Sequence, residues 1–425
     1  MKVFKFGGAS VKDAAAVKNV AQVVRLFPSD KIAIVVSAMG KTTNAMEQLV
    51  ESWYKGTSET RVLWQEILSF HQNIVSDLFA NTNLKEIAGI EEIISETEER
   101  LSEEPSEHFD YEYDQLVSVG ELISTLIVSH YLKTVDSAVK WFDARKIIRT
   151  DSTYREARID WEPTQKLIEF NVKTFFNSGG KLAIVPGFIG STDTKQTTTL
   201  GREGSDFSAA ILAYCLQAES VIIWKDVPGM LNADPKYFDN TVRLPKISFK
   251  EAIELSYYGA TIIHPKTLKP LQNKNIPLYV KSFIEPLAEG TVIQATTEND
   301  HEIPSFIFRM NQVLISISPR DFSFIMEESL SHIFNLFHHF GVKINLMQNS
   351  AISFSVSVDD DKRKVEPLID MLNKDYAVKY NRGLELVTIR HYNDETIKRV
   401  TLNKEILVEQ KSRYTVRMVM RDLGN

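Results

Sequence analysis

The run Ile32-Ala33-Ile34-Val35-Val36 limits what this chain can fold into more than any other stretch. Five consecutive apolar residues in a strand need cover on both faces, which is the situation of a parallel sheet packed between helices. Before it come a strand-like Lys2–Phe6 and then Val17, Val20, Ala21, Val24 and Leu26 at helical spacing. Strand, helix and strand in that order imply a parallel βαβ unit. The same alternation returns after a long helical stretch. Residues 46–132 read as successive helices, an insertion whose apolar stripes include Ile67, Ile74 and Val75, then Ile90, Ile93 and Ile94. Beyond it, Leu182–Val185 and Ser220–Trp224 read as further buried strands, and 191–196 as the turn of a hairpin.

Strand ends in such a sheet are where ligands bind, and here they carry suggestive chemistry. Lys5-Phe6-Gly7-Gly8-Ala9-Ser10 breaks a strand into two glycines ahead of a helix-like pattern beginning at Val11, a turn able to bring backbone N–H groups close to a phosphate with Lys5 as a point charge. An ordinary tight turn has the same composition. Ser37 to Asn44 is small and hydroxylated, which suits either ligand binding or a helix N-cap. Gly120 interrupts an amphipathic helical pattern over 114–132 in Ser118-Val119-Gly120-Glu121, implying close approach by a ligand or another backbone. In Gly201-Arg202-Glu203-Gly204-Ser205-Asp206 an arginine stands just before a helix with Ser205 or Asp206 as candidate N-cap, an arrangement fit to grip a carboxylate or simply to cap a helix. Lys225-Asp226-Val227-Pro228-Gly229 opens a long polar loop, with a type II turn expected at Pro228-Gly229.

From residue 301 the pattern becomes shorter, reading βαββαβ to about residue 390, a ferredoxin-like order. Residues 391–425 read as a partial second unit lacking its last helix and strand. Exposed sheet edges in units of this kind favour pairing with another copy. The domain expectation is therefore 1–300, 301–390 and 391–425.

Composition excludes several classes. A net charge of -7, with cations scattered among acids, leaves no footprint for nucleic acid. The single Cys215 excludes an intrachain disulfide framework and fits a reducing, cytoplasmic setting. No apolar stretch is expected to reach the roughly 18 residues of a membrane span, and a first strand beginning at Lys2 leaves no room for a signal peptide. His71, His108 and His130 show no ligand spacing, so no protein-held metal site is expected.

Taken together, Lys5-Phe6-Gly7-Gly8, Ser118-Val119-Gly120-Glu121, Gly201-Arg202-Glu203-Gly204-Ser205-Asp206 and Lys225-Asp226 resemble, in order, the motifs of the aspartokinases of the amino acid kinase superfamily. That resemblance implies a three-layer α/β sandwich with a mainly parallel central sheet, followed by α+β ferredoxin-like ACT domains. It implies an ATP- and Mg²⁺-dependent kinase that phosphorylates the β-carboxylate of L-aspartate, and a homodimer formed through the ACT domains. Carried over residue by residue, Lys5, Gly8 and Asp206 are catalytic. Ser37, Thr43, Glu121, Arg202, Glu203, Gly204 and Ser205 hold the amino acid. Lys5, Phe6, Gly7, Gly8, Lys225, Asp226, Leu231, Lys236 and Thr261 hold the nucleotide. The chain departs from the family pattern at Ala9 (usually Thr), Glu203 (usually Gly), Leu231 and Lys236 (usually Tyr and Arg) and Thr261 (often Lys). In the segment where lysine-sensitive members carry an Asp and a Ser-Glu pair, it has Asn345 and Ser350-Ala351, and the usual helix-entry glycine is missing around 320–324. The resemblance leaves two rivals: a related amino acid kinase acting on glutamate, and a catalytically silent ACT-containing amino-acid sensor.

Overall fold

The computed structural model describes every residue except 81, 261, 262, 322 and 425. It divides into two compact units. One comprises Met1–Met230, Arg243–Ile253 and Ile262–Thr297; the other comprises Leu231–Val242, Glu254–Thr261 and Glu298–Asn425.

In the first unit the strands are β1 (Lys2–Phe6), β2 (Ile32–Val36), β3 (Val139–Trp141), β4 (Leu182–Pro186), β5 (Ile189–Ser191), β6 (Thr197–Thr199), β7 (Ser220–Lys225), β8 (Lys246–Ser248), β9 (Leu278–Ser282) and β10 (Thr291–Gln294). Eight of them form one sheet in the order β3-β4-β2-β1-β7-β9-β10-β8, while β5 and β6 make the expected hairpin. All neighbours in the sheet run parallel except β9 and β10. Because β1 lies between β2 and β7, the chain leaves it toward one side first and fills the other side later. That creates a switch point, and a crevice opens beyond the carboxyl ends of β1, β2, β4 and β7.

Alternation along β1 separates two environments. Phe4 and Phe6 enter an aromatic cluster with Phe27 and Trp224, where the Phe6 and Trp224 rings stack at 6.1 Å. Lys5 points the other way, toward the helix Gly204–Leu216. That helix packs with Pro265–Asn273, whereas Ala14–Arg25, Thr60–Leu78 and Val119–Val135 pack together as a separate layer. The α-helix after the opening turn begins at Ala14, not Val11. A 3-10 turn, Gly8–Val11, intervenes, and Asp13 caps the helix by accepting from the Ala16 N–H at 2.8 Å.

The insertion is helical, as expected, but Val119–Val135 is buried on nearly all sides and not amphipathic. Together Phe109–Val135 is long and apolar enough to cross a membrane, against expectation, yet 83% of its apolar window is buried inside the protein. Gly120 is explained by packing: a Cβ there would lie 3.1 Å from Thr42 Cγ2 and 3.3 Å from Ala38 Cβ. The Pro228-Gly229 pair does not form a type II turn, since Gly229 takes φ +146° and not the +80° that turn needs.

The second unit is built on β11 (Ser305–Pro319), β12 (Ile344–Asn349), β13 (Phe354–Asp359), β14 (Tyr376–Arg390), β15 (Lys404–Lys411) and β16 (Thr415–Asp422). They form one antiparallel sheet in the order β12-β13-β11-β14-β16-β15. With helices Glu327–His339 and Lys362–Asp375, the second half of β11 and first half of β14 complete the βαββαβ order. β11 and β14 are each 15 residues long and serve both halves of the sheet. The fourth-strand position of the second half is thus filled by Ser305–Arg309, paired with 386–390, although no strand follows β16 among the described residues. Where a second helix would lie, Ala233 and Phe238 cover the sheet, with the Phe238 ring stacked on Phe306 at 4.3 Å.

Candidate active site

Parallel strands that end at one edge bring their following residues together, and four of them do so here. Lys5 on β1, Ser37 after β2, Phe188 after β4 and Lys225 at the end of β7 all line one cavity of about 800 Å³. Thr43 joins them from the start of the helix Thr42–Tyr54, the insertion adds Glu47, Asp110, Tyr113 and Glu121, and the loop and first turn of Gly204–Leu216 add Gly201 to Asp206. The residues expected to hold the amino acid are therefore gathered in one place: Ser37, Thr43, Glu121, Arg202, Glu203, Gly204 and Ser205.

Lys5 and Asp206 form the most buried charge pair at the site, Nζ to Oδ1 2.6 Å, and Lys225 Nζ stands 4.0 Å from Oδ2 of the same carboxylate. Neither candidate cap operates. The helix starts at Gly204, with Glu203 at the N-cap position and no side-chain cap bond. That frees Asp206, in the first turn, to hold the two lysines side by side. Gly7 and Gly8 do not adopt left-handed backbone, but Gly8 admits no side chain, since a Cβ would sit 2.6 Å from the Gly40 carbonyl oxygen and 2.9 Å from that of Ala38. The turn is pressed against the loop that follows β2. The side chain of Phe6 belongs to the aromatic core, so only its main chain is available to a ligand.

Glu121 is 2% exposed. Its Oε1 accepts from the Ala38 N–H at 3.4 Å and from Thr43 Oγ1 at 3.5 Å, while Oε2 is buried with no partner among the described residues. Burial raises its pKa to about 8, against the weaker opposing effect of those hydrogen bonds. A buried carboxylate with an open oxygen on a cavity wall is matched to a cationic ligand group. Arg202 is exposed and makes no hydrogen bond or ion pair with any described residue. Its neighbours Gly201 and Glu203 have φ +70° and +54°. The unexpected acid at 203 turns aside: its Oε2 accepts from the His264 N–H at 2.7 Å.

Sequence reasoning missed Glu47, Tyr113 and Arg155. The Tyr113 hydroxyl donates to Glu47 Oε1 at 2.6 Å, and the Arg155 guanidinium lies 4.4 Å over the Tyr113 ring while pairing with Asp110 at 3.2 Å. Asp114 lies beneath them, accepting from Thr199 N, Thr199 Oγ1 and Arg155 N at 2.7–3.0 Å, with burial raising its pKa to about 6. No motif marked this wall, since Glu47 and Tyr113 lie in the stretch read only as successive helices.

On the nucleotide side the placement is mixed. Asp226 is exposed at the end of β7. Leu231 and Lys236 belong to the other compact unit, where Lys236 Nζ lies 5.0 Å over the Tyr237 ring. Thr261 lies outside the described residues. No group of three or more His, Cys, Asp or Glu side chains among the described residues is arranged to hold a metal ion.

The model of the amino acid kinase family matches residues 1–282. Over 398 residues, the chain is 33% identical to lysine-sensitive aspartokinase 3 of Escherichia coli, covering 91% of this chain and 86% of that one. The chain belongs to the aspartokinases. Chloroplastic aspartokinase 1 of Arabidopsis thaliana is 30% identical, with 91% of this chain and 70% of that protein covered. Crystal structures of the E. coli aspartokinase III, with lysine and aspartate or with aspartate and ADP, superpose with TM-scores of 0.82 and 0.79 at 29% identity, covering 99% of this chain and 95% and 96% of theirs. Family membership accounts for the mixed parallel sheet followed by the antiparallel C-terminal sheet.

Proposed function

We propose that the chain transfers the γ-phosphoryl group of ATP to the β-carboxylate of L-aspartate, giving 4-phospho-L-aspartate. The observation that carries this reading is the shared cavity: a lysine pair, Lys5 and Lys225, around Asp206, together with a partner-free arginine and a buried carboxylate with an open oxygen. An amino acid needs an anion site for its α-carboxylate and an anionic site for its ammonium, and Arg202 and Glu121 supply that combination. A triphosphate needs cations and close backbone N–H groups, and Lys5, Lys225 and the Gly7-Gly8 turn supply those.

The nucleophile is ionised at neutral pH, since an ordinary Asp side chain has a pKa near ~3.9, so no general base is required. Catalysis then rests on positioning two anions against each other and on stabilising charge that develops on the transferred phosphoryl group. Lys5 is already aimed by Asp206, and in the complex its ammonium is shared with a phosphate oxygen. Mg²⁺ arrives on the triphosphate as part of the substrate, where it neutralises phosphate charge; Asp206 is the acid at this end of the cavity able to lend it one oxygen. Ser37 and Thr43 present hydroxyls to the amino acid.

The proposal extends to the nucleotide roles of Asp226, Leu231, Lys236 and Thr261, to an amino-acid effector at the C-terminal unit, and to a homodimer formed through that unit. Support for the last comes from β12 and β15, the edge strands of that sheet among the described residues. A cytoplasmic setting fits the lone Cys215, buried and with its pKa pushed up to about 12 by burial. The deciding experiment incubates the chain with ATP, Mg²⁺ and L-aspartate and traps the acyl phosphate as its hydroxamate. Product with aspartate and none with glutamate or N-acetylglutamate is expected. Product with glutamate alone would point to the sister kinases, and no product with any of them to a silent sensor.

A further inference from the structure

We infer that Glu203 is a positioning residue: its carboxylate bridges the entrances of two helices and, together with a second bond donated by Lys266, sets the Arg202 loop and hence the affinity for aspartate. The inference rests on the reading above, in which Arg202 receives the substrate carboxylate.

Arg202 makes no hydrogen bond or ion pair with any described residue, so its direction depends on the backbone that carries it. That backbone passes through two left-handed residues in three, Gly201 at φ +70° and Glu203 at φ +54°. Only the second carries a side chain, and that side chain reaches across to the His264 N–H at 2.7 Å. His264 is itself the N-cap of Pro265–Asn273, its Nδ1 accepting from the Lys266 N–H at 3.2 Å. A second link comes from Lys266, whose Nζ donates to the Leu200 carbonyl at 2.6 Å. Two bonds, both donated from 264–266 to 200–203, thus join the two segments, one on each side of Arg202. On a further side the loop rests on Arg155 and Glu156, because a Cβ at Gly201 would lie 2.9 Å from the Arg155 carbonyl oxygen.

The chemistry fits a carboxylate at 203. It lies at the positive ends of both Gly204–Leu216 and Pro265–Asn273, where negative charge is favoured. Its charge is met there by N–H dipoles and by the neighbouring Lys266, so an acid next to an anion-binding arginine does not repel the incoming carboxylate as a free one would.

The test measures aspartate KM, ATP KM, kcat and melting temperature for the full chain and four variants. Glu203→Ala is expected to raise aspartate KM about tenfold, the loss of one charge-assisted bond, with ATP KM and kcat within about twofold. Glu203→Gln keeps an oxygen for the His264 N–H and is expected to restore KM to within about threefold of the parent. Lys266→Met should raise aspartate KM in the same direction. The double variant Glu203→Ala/Lys266→Met should exceed the worse single by less than the product of the two, because both bonds hold one loop. An unchanged aspartate KM in Glu203→Ala overturns the inference, as does a parallel loss in kcat and both KM values that follows the melting temperature. Should Glu203→Ala fail to fold, Lys266→Met decides: a raised aspartate KM alone supports the clamp, and an unchanged one removes it. A parent chain inactive with aspartate and ATP overturns the function itself, which is a different result from an active parent whose variants do not differ.

Discussion

In the proposed function Lys5, Arg202 and Glu121 divide the work of the site, and each makes a different prediction. Lys5→Ala removes the cation proposed to meet the reacting phosphate, and turnover should fall by about two to four orders of magnitude while aspartate still binds. Arg202→Ala should do the reverse, raising aspartate KM far more than it lowers kcat; calorimetric titration with aspartate separates the two. Glu121 introduces pH dependence, because burial holds its pKa at about 8 against an ordinary value of 4.5. Between those values the folded protein keeps a proton that the unfolded chain releases, so stability falls as pH rises through the window. For a fully buried group the loss is on the order of a few kcal/mol. Melting temperatures should therefore drop from pH 5 to pH 8 in the parent and drop less in Glu121→Gln. An ammonium ligand needs the ionised form. Aspartate KM should accordingly fall roughly eightfold from pH 7 to pH 8.5 as that form grows, and stay flat in the Gln variant.

At the scale of elements, close approach governs the site. The helix Val119–Val135 can present Glu121 to the cavity only because Gly120 lets it lie against Ala38 and Thr42. Gly120→Val would place methyl groups where 3.1–3.3 Å is already available to a Cβ alone. It is expected to cost about 1–3 kcal/mol in denaturant unfolding and to weaken aspartate binding by moving Glu121. The sequence pattern shows that Gly120 is needed but not by what. A helix glycine records that something comes near, and both a ligand and a second helix satisfy it. The start of Gly204–Leu216 has the same character. Ser205 and Asp206 are both good caps by residue type, yet the left-handed Glu203 starts the helix earlier and releases Asp206 to Lys5.

On the scale of the whole molecule, the two compact units are interleaved along the chain. Phe238 lies between catalytic strands in sequence but stacks on Phe306 in the core of the C-terminal sheet and is 8% exposed. Phe238→Ala should cost about 3–5 kcal/mol, read as early proteolytic loss of 298–425 and not as a change in the cavity. The same sheet bears on regulation. Asn345 turns inward, its amide nitrogen donating to Gln312 Oε1 at 3.0 Å and Asp359 Oδ1 at 2.9 Å, beside the buried Ser357. An amide engaged in that network stands where the resemblance to lysine-sensitive members leads one to expect an acid, so weak or no inhibition is expected when lysine and threonine are titrated against activity. Strong lysine inhibition would show that this network does not decide effector binding.

Much of this was legible without coordinates, for reasons that are local. Buried parallel strands announce themselves by unbroken apolar runs such as 32–36, and the βαββαβ order by its alternating periods. Phosphate and carboxylate chemistry is marked by glycines beside Lys5 and Arg202. The tertiary structure alone decided matters that depend on chain segments far apart. Tyr113, Glu47 and Arg155 meet only when the insertion folds over the sheet. Ser305–Arg309 fills the strand place that the C-terminus leaves, because β11 is long enough to serve both halves. Glu203, an apparent misfit beside an anion site, finds its use in the backbone of His264, 61 positions away. Periodicity reports which face of an element is buried, and residue type reports what chemistry is possible; neither reports which distant N–H will donate to a given carboxylate.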